Sequence, residues 1–206
     1  MCARVMAEKP ILFNGEMVRA ILAGEKTQTR RIVRGSEDCE GMDAVFDRLG
    51  VYYRGWWSSD GATQSVDFEP LVQPGDVLWV REGWRKSWIQ LTGIGGPAVQ
   101  YMADLAKRAD AINADWQVTD KKWRPSIHMP KWACRIRLNV TTVRVERLQD
   151  MNRGDAMAEG CPFANMKDGP DPRDWFADLW QRINGVDAWN ANPWVWVYKF
   201  KREQQP

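Results

Sequence analysis

What this chain has little of sets the first limits. It holds one histidine, His128, in 206 residues, so a His-rich metal site is not expected and a Ser-His triad has a single imidazole to draw on. Four cysteines (Cys2, Cys39, Cys134 and Cys161) stand far apart with no C-x-x-C pair, so no paired-thiolate metal motif is present. No stretch approaches the ~20 consecutive apolar residues that a membrane span needs. Met1 to Pro10 carries charges where a signal peptide would have an apolar core. The expectation is a cytoplasmic, reduced, soluble protein with no membrane partner. Charge of one sign is missing too: 29 basic against 27 acidic residues leave +2, so any nucleic-acid surface must be local. No dinucleotide glycine motif or P-loop appears, and no cofactor is expected.

Tryptophan, by contrast, is abundant. Thirteen Trp stand against four Tyr and six Phe, more indole than a core of this size needs. Indoles mostly bury, and they also stack on bases and other flat ligands.

The most informative stretch runs from Leu22 to Val33, LAGEKTQTRRIV. Asn14 can cap a helix on which Met17, Val18, Ile21 and Leu22 repeat at helical spacing, and Gly24 suits the left-handed residue that ends it. Lys26, Thr29 and Arg31 then leave on extended or irregular chain. A Lys near a hydroxyl can make a nucleophile, because a desolvated amine loses its proton more readily and acts as a base. The same residues also read as a solvated basic turn.

Pro10 to Phe13 reads as a short strand or extended lead-in. From Arg34 to Leu71 the chain is polar and irregular. Val51–Tyr53 and Trp56–Trp57 there suggest a hairpin around Arg54-Gly55, and Ser58 to Gln64 suggests a turn. Val77 to Glu82 alternates as a strand after the Pro74-Gly75-Asp76 turn, and places Arg81 and Glu82 at its end as a solvent-facing pair or part of a site. Gly93 to Pro97 reads as loop, Ala98 to Met102 as strand, and Leu105 to Ala114 as helix or nothing regular. The segment Lys121 to Trp132, KKWRPSIHMPKW, is stiffened by two prolines and presents Arg124, His128, Lys131 and Trp132 to a ligand or anchors them structurally.

Ala133 to Leu148 carries the longest strand pattern, with a change of phase near Thr141-Thr142 that predicts a bulge; its polar positions are expected to face water. Asn152 caps a short helix with Asp155 three residues on and Gly160 at its end, which leaves Glu159 in the last turn beside the negative end of the helix dipole. Pro162 to Pro170 is a linker. Asp171-Pro172 opens a helix with Trp175, Phe176, Leu179, Trp180 and Ile183 along one face. Trp194 to Phe200 alternates as an aromatic strand, followed by a polar tail. These elements predict one α+β domain over residues 1–206, a small, partly closed barrel with about three peripheral helices. The surplus lies in two insertions at about 34–71 and 83–125.

The pattern Gly24-x-Lys26-x-x-Thr29-x-Arg31 resembles the signature of ASCH domains, members of the PUA-like β-barrel superfamily. Three further segments fall in that family's order: Gly75 to Val80, Ala156 to Gly160, and the closing strand Trp194 to Phe200. The whole chain resembles ASCH-containing proteins often encoded by phages and prophages. The resemblance implies a cleft that accepts a nucleoside or nucleic acid, RNA ahead of DNA. One branch of the family comprises compact amidohydrolases of N4-acylated cytidine, such as N4-acetylcytidine. On that likeness Lys26, Thr29 and Glu159 are the catalytic set: Thr29 attacks, Lys26 takes its proton, and Glu159 passes a proton to the leaving amine. Arg31 is expected to orient Glu159 or hold a phosphate, with Arg81, Glu82, Arg124, His128, Lys131 and Trp132 as further binding candidates. The competing readings are a non-catalytic reader of RNA or modified DNA, a metal-independent ribonuclease, and a protein-interaction module.

Overall fold

A computed structural model describes residues 5–46, 51–91, 94–107, 116–117, 122–163 and 171–203. Strand β1 (Glu8–Leu12) leads into Asn14, whose side chain accepts the Met17 N–H and starts helix α1 (Gly15–Ala23). Gly24, at φ 81°, takes the left-handed conformation that a Cβ disfavours and ends the helix. The chain then runs extended into β2 (Gln28–Ile32).

The main sheet adds β6 (Val77–Arg81), β10 (Arg137–Arg147) and β11 (Trp194–Arg202) in the order β1-β6-β10-β11-β2. Only the β1–β6 pair is parallel. The bulge expected in the long strand falls between Val140 and Thr142, where the register against β11 shifts. β1 and β2 are the two edges, so the sheet is open among the described residues. The fold is mixed α+β.

Each predicted insertion carries a sheet of its own. The first contains β3 (Gly41–Phe46), β4 (Val51–Ser59) and β5 (Ala62–Phe68). Contrary to the expected hairpin at Arg54-Gly55, β4 runs straight through those residues and turns at Asp60-Gly61, both at positive φ. Gly55 is a place of close approach: a Cβ there would lie 2.5 Å from the Cys39 sulfur. The second contains β7 (Trp84–Leu91), β8 (Ile94–Tyr101) and β9 (Trp116–Gln117), so the loop expected up to Pro97 is largely strand. Met102–Lys107 forms a 3-10 helix; the rest of the Leu105–Ala114 stretch lies outside the described residues, as does most of the Pro162–Pro170 linker.

After β10, Asn152 accepts the Asp155 N–H and starts α2 (Arg153–Ala158), and Asp171 starts α3 (Pro172–Asn184), which ends at Gly185. The supposed polar tail continues β11 as far as Arg202. Alternation along β11 divides the interior. Val195 and Val197 pack under α2 and α3 with Phe176, Leu179 and Trp180. Trp196, Tyr198 and Phe200 point the other way, into the larger cluster with Phe13, Val18 and Ile21. Among the described residues no helix is long and apolar enough to cross a membrane.

Candidate functional site

The end of α1 and the end of α2 meet where Gly24 and Gly160 turn the chain. Thr27 donates its N–H to the Ala158 carbonyl at 2.8 Å, and Lys26 forms an isolated bridge with Glu159. Gly160 permits the approach: at φ +94° it carries no Cβ, and one built there would lie 2.9 Å from the Ala20 Cβ and 3.2 Å from the Lys26 Cβ. The backbone contact brings together side chains 133 positions apart: Lys26 Nζ donates to Glu159 Oε2 at 2.6 Å and to the Glu159 carbonyl at 2.9 Å.

Glu159 has a second cation. Arg30 donates to Glu159 Oε1 at 2.9 Å and to Glu146 at 2.5 Å, and its guanidinium lies 3.5 Å from Asp155. Arg144 closes the cluster by donating to Glu146 at 2.8 Å and Asp155 at 3.1 Å. Sheet register explains the meeting. Arg30 and Arg144 both pair with Val197 from opposite sides of β11, so they flank one buried valine on the face beneath α2 and α3. The polar side chains of β10 were expected to face water, but α2 covers that face: Arg30 pairs with Glu146, and Asp155 of α2 pairs with Arg144.

The other face of β2 holds Thr29 and Arg31. Thr29 is buried, and its hydroxyl oxygen accepts from Arg31 at 2.7 Å. Arg31 also donates to the Leu12 carbonyl at 2.9 Å and stands 5.3 Å from the Phe13 ring. Orienting Glu159, the task expected of Arg31, therefore falls to its neighbour Arg30. A cavity of about 500 Å³ wraps the free edge of β2. Thr29, Arg30, Arg31 and Glu159 line it with Phe13 on one side and Phe176 and Trp180 on the other. Its size and its aromatic walls around a few polar groups suit a small flat ligand.

Burial, the largest influence on Lys26, pushes its amine below the ordinary lysine range, against the opposing pull of Glu159. For Asp155, burial pushes the carboxyl up, but Arg144 and Arg30 outweigh it and hold the group low.

The remaining candidates lie elsewhere. Arg81 donates to the Ile127 carbonyl and sits 5.5 Å from the Trp79 ring. Glu82 is buried and takes a two-pronged bond from Arg135 at 2.8 and 2.9 Å. Arg124 exchanges backbone hydrogen bonds with Trp84 and lies 5.2 Å from its ring. His128 is exposed, Lys131 pairs with Glu8, and Trp132, 65% exposed, meets Trp84 edge-on at 5.6 Å. Among the described residues of this proline-stiffened segment only Ser126 lines the cavity. Arg30, Glu146, Asp155 and Arg144 were missed by sequence reasoning. The signal available was alternation, which sets Gln28 and Arg30 on one face of β2 and Arg144 and Glu146 on one face of β10. Among the described residues no group of three or more His, Cys, Asp or Glu is placed to hold a metal ion. Compared with known proteins, the chain gives no significant match to any family model, curated protein or solved structure.

Proposed function

We propose that this chain is an ASCH-type, PUA-like domain that takes a nucleoside, free or within RNA, into the cavity beside β2. The chemistry proposed there is hydrolysis of the amide on an N4-acylated cytidine. One observation carries the reading: Lys26 and Glu159, remote in sequence, meet at 2.6 Å, and Glu159 lines the same cavity as Thr29.

The set supports a complete reaction. A neutral Lys26 that gives its two N–H bonds to the Glu159 carboxylate and carbonyl keeps a lone pair for the Thr29 hydroxyl proton. As that proton leaves, the Arg31 guanidinium steadies the charge on Thr29 Oγ; Oγ then attacks the acyl carbon, and the π pair of the carbonyl moves to the acyl oxygen. The C–N bond then breaks. The proton taken by Lys26 passes through Glu159 to the exocyclic amine, and cytidine leaves. Water hydrolyses the threonyl ester, releasing the carboxylic acid and restoring the hydroxyl.

A second reading, a non-catalytic reader of RNA, is favoured by the Lys26 side chain being 0% exposed with its contacts given to Glu159. Incubation with N4-acetylcytidine, followed by chromatography for cytidine, separates the two. Turnover in the wild type that is lost in Lys26→Ala supports the enzyme. RNA binding without turnover leaves the reader, and the absence of both overturns the proposal.

A further inference from the structure

A second cavity adjoins the first. It has a volume of about 580 Å³ and follows the seam between β1 and β2, the two edges of the main sheet. Leu12, Arg31, Ile32 and Arg34 line both cavities, so the two adjoin where Arg31 reaches across to the Leu12 carbonyl. The first cavity alone is large enough for one small ligand, since such sites run to about 300–1,000 Å³. The second therefore exceeds what a free nucleoside requires.

Its lining has a consistent chemistry. Leu12, Ile32 and Leu71 are 44%, 38% and 52% exposed, large apolar side chains left open together along the seam. Phe68, half-buried, offers a ring for stacking, and Glu69, exposed, can accept from the amino group of a base. At the junction of the two cavities stands Arg34, exposed and forming no ion pair with a described residue, next to the partly committed Arg31. Aromatic and apolar surface at each end with cations at the junction matches two bases joined by a phosphodiester. An extended peptide would find the strand edges, but it would place a counter-charge at the two cations only if it carried a carboxylate at that point, whereas every dinucleotide carries its phosphate there.

We infer that the two cavities together bind two adjacent nucleotides of one strand: the target nucleoside beside Glu159, its neighbour in the seam, and the linking phosphate at Arg34. This rests on the nucleoside-binding reading of the first cavity and extends it to the substrate class, a strand rather than a free nucleoside.

Binding, read by intrinsic tryptophan fluorescence, tests it without requiring turnover. The probes are N4-acetylcytidine and dinucleotides in which it is joined to uridine in either order. One dinucleotide is expected to bind about tenfold tighter or more at low salt, as a charge-assisted contact allows. That advantage shrinks with salt, and Arg34→Ala lowers the salt slope by about one. Leu71→Glu, at an exposed position confined to the second cavity, should abolish the dinucleotide's advantage while leaving nucleoside binding as it was. Equal affinity for nucleoside and dinucleotides, or a Leu71→Glu variant that keeps the advantage, overturns the inference while leaving the nucleoside site standing. Binding of neither overturns both, and protection of the seam by an extended peptide rather than by dinucleotides assigns it to a protein partner instead.

Discussion

Replacing Arg30 with methionine removes the guanidinium on which the buried carboxylates converge. Its side chain is 0% exposed and touches Glu159, Glu146 and Asp155. Each acid keeps one other cation: Lys26 for Glu159 at 2.6 Å, and Arg144 for Glu146 at 2.8 Å and Asp155 at 3.1 Å. Three carboxylates would then share two cations. Taking one partner from a buried ion pair costs about 3–5 kcal/mol. The Glu146 and Asp155 side chains retain 16% and 11% exposure, so water makes up part of the loss. The expected cost lies near the lower bound, about 3 kcal/mol. With a urea slope of about 2 kcal/mol per molar, the unfolding midpoint should fall by about 1.5 M at pH 7. The pH dependence gives a second check. In the wild type Asp155 titrates below its ordinary range, so its contribution is fully present above the unfolded pKa and fades as pH falls through the folded one. Without Arg30 burial is less opposed, and a carboxyl takes up its proton at higher pH. The gap between variant and wild type should therefore narrow from pH 7 to pH 4. A loss under about 1 kcal/mol, or a gap that ignores pH, would refute the reasoning about this cluster.

Three further outcomes are expected. The lowered Lys26 amine should give kcat/KM for N4-acetylcytidine a rising limb below the ordinary lysine range, because the base works neutral and gains as pH climbs through its pKa; a pH profile without that limb removes Lys26 as the base. Gly160→Ala should cost about 1–3 kcal/mol by thermal or urea unfolding and weaken activity further, since the new methyl meets Ala20 and Lys26 at a positive φ. Trp132→Ala should cost only about 0.5–1.5 kcal/mol, its edge contact with Trp84, and leave binding of N4-acetylcytidine unchanged, because this exposed ring lies away from the cavity.

Signals written within a few residues were legible. Asn14, Asn152 and Asp171 each start a helix because a short acceptor side chain reaches a free N–H of the first turn. The chain-reversing Gly24, the bulge after Val140 and the strand from Trp194 were equally local. Arg54-Gly55 misled for a physical reason: glycine marks close approach as well as turning, and Cys39, which presses on Gly55, lies across a sheet the sequence does not display. Of the second insertion's sheet only the later half of β8, read as a strand from Ala98, was legible; the rest was not, because its pairings depend on neighbours rather than on period.

Arg30 shows the same limit at the site. In the pattern Gly24-x-Lys26-x-x-Thr29-x-Arg31 it is an unassigned position, and its role arises only when β10 and β11 bring Glu146 and Asp155 to it. The cluster it completes is balanced, with Lys26, Arg30 and Arg144 against Glu146, Asp155 and Glu159. A balanced buried cluster adds little over apolar packing of the same volume, so stability alone does not account for placing it under one cavity. Within it, Glu159 alone combines two cations with a place in the cavity wall that Thr29 shares. Glu146 and Asp155 hold Arg30 from behind, and Arg30 in turn fixes one oxygen of Glu159, leaving the other to face Lys26. A carboxylate held in that way can exchange a proton with the amine without moving, which is what a shuttle between Lys26 and a leaving group requires.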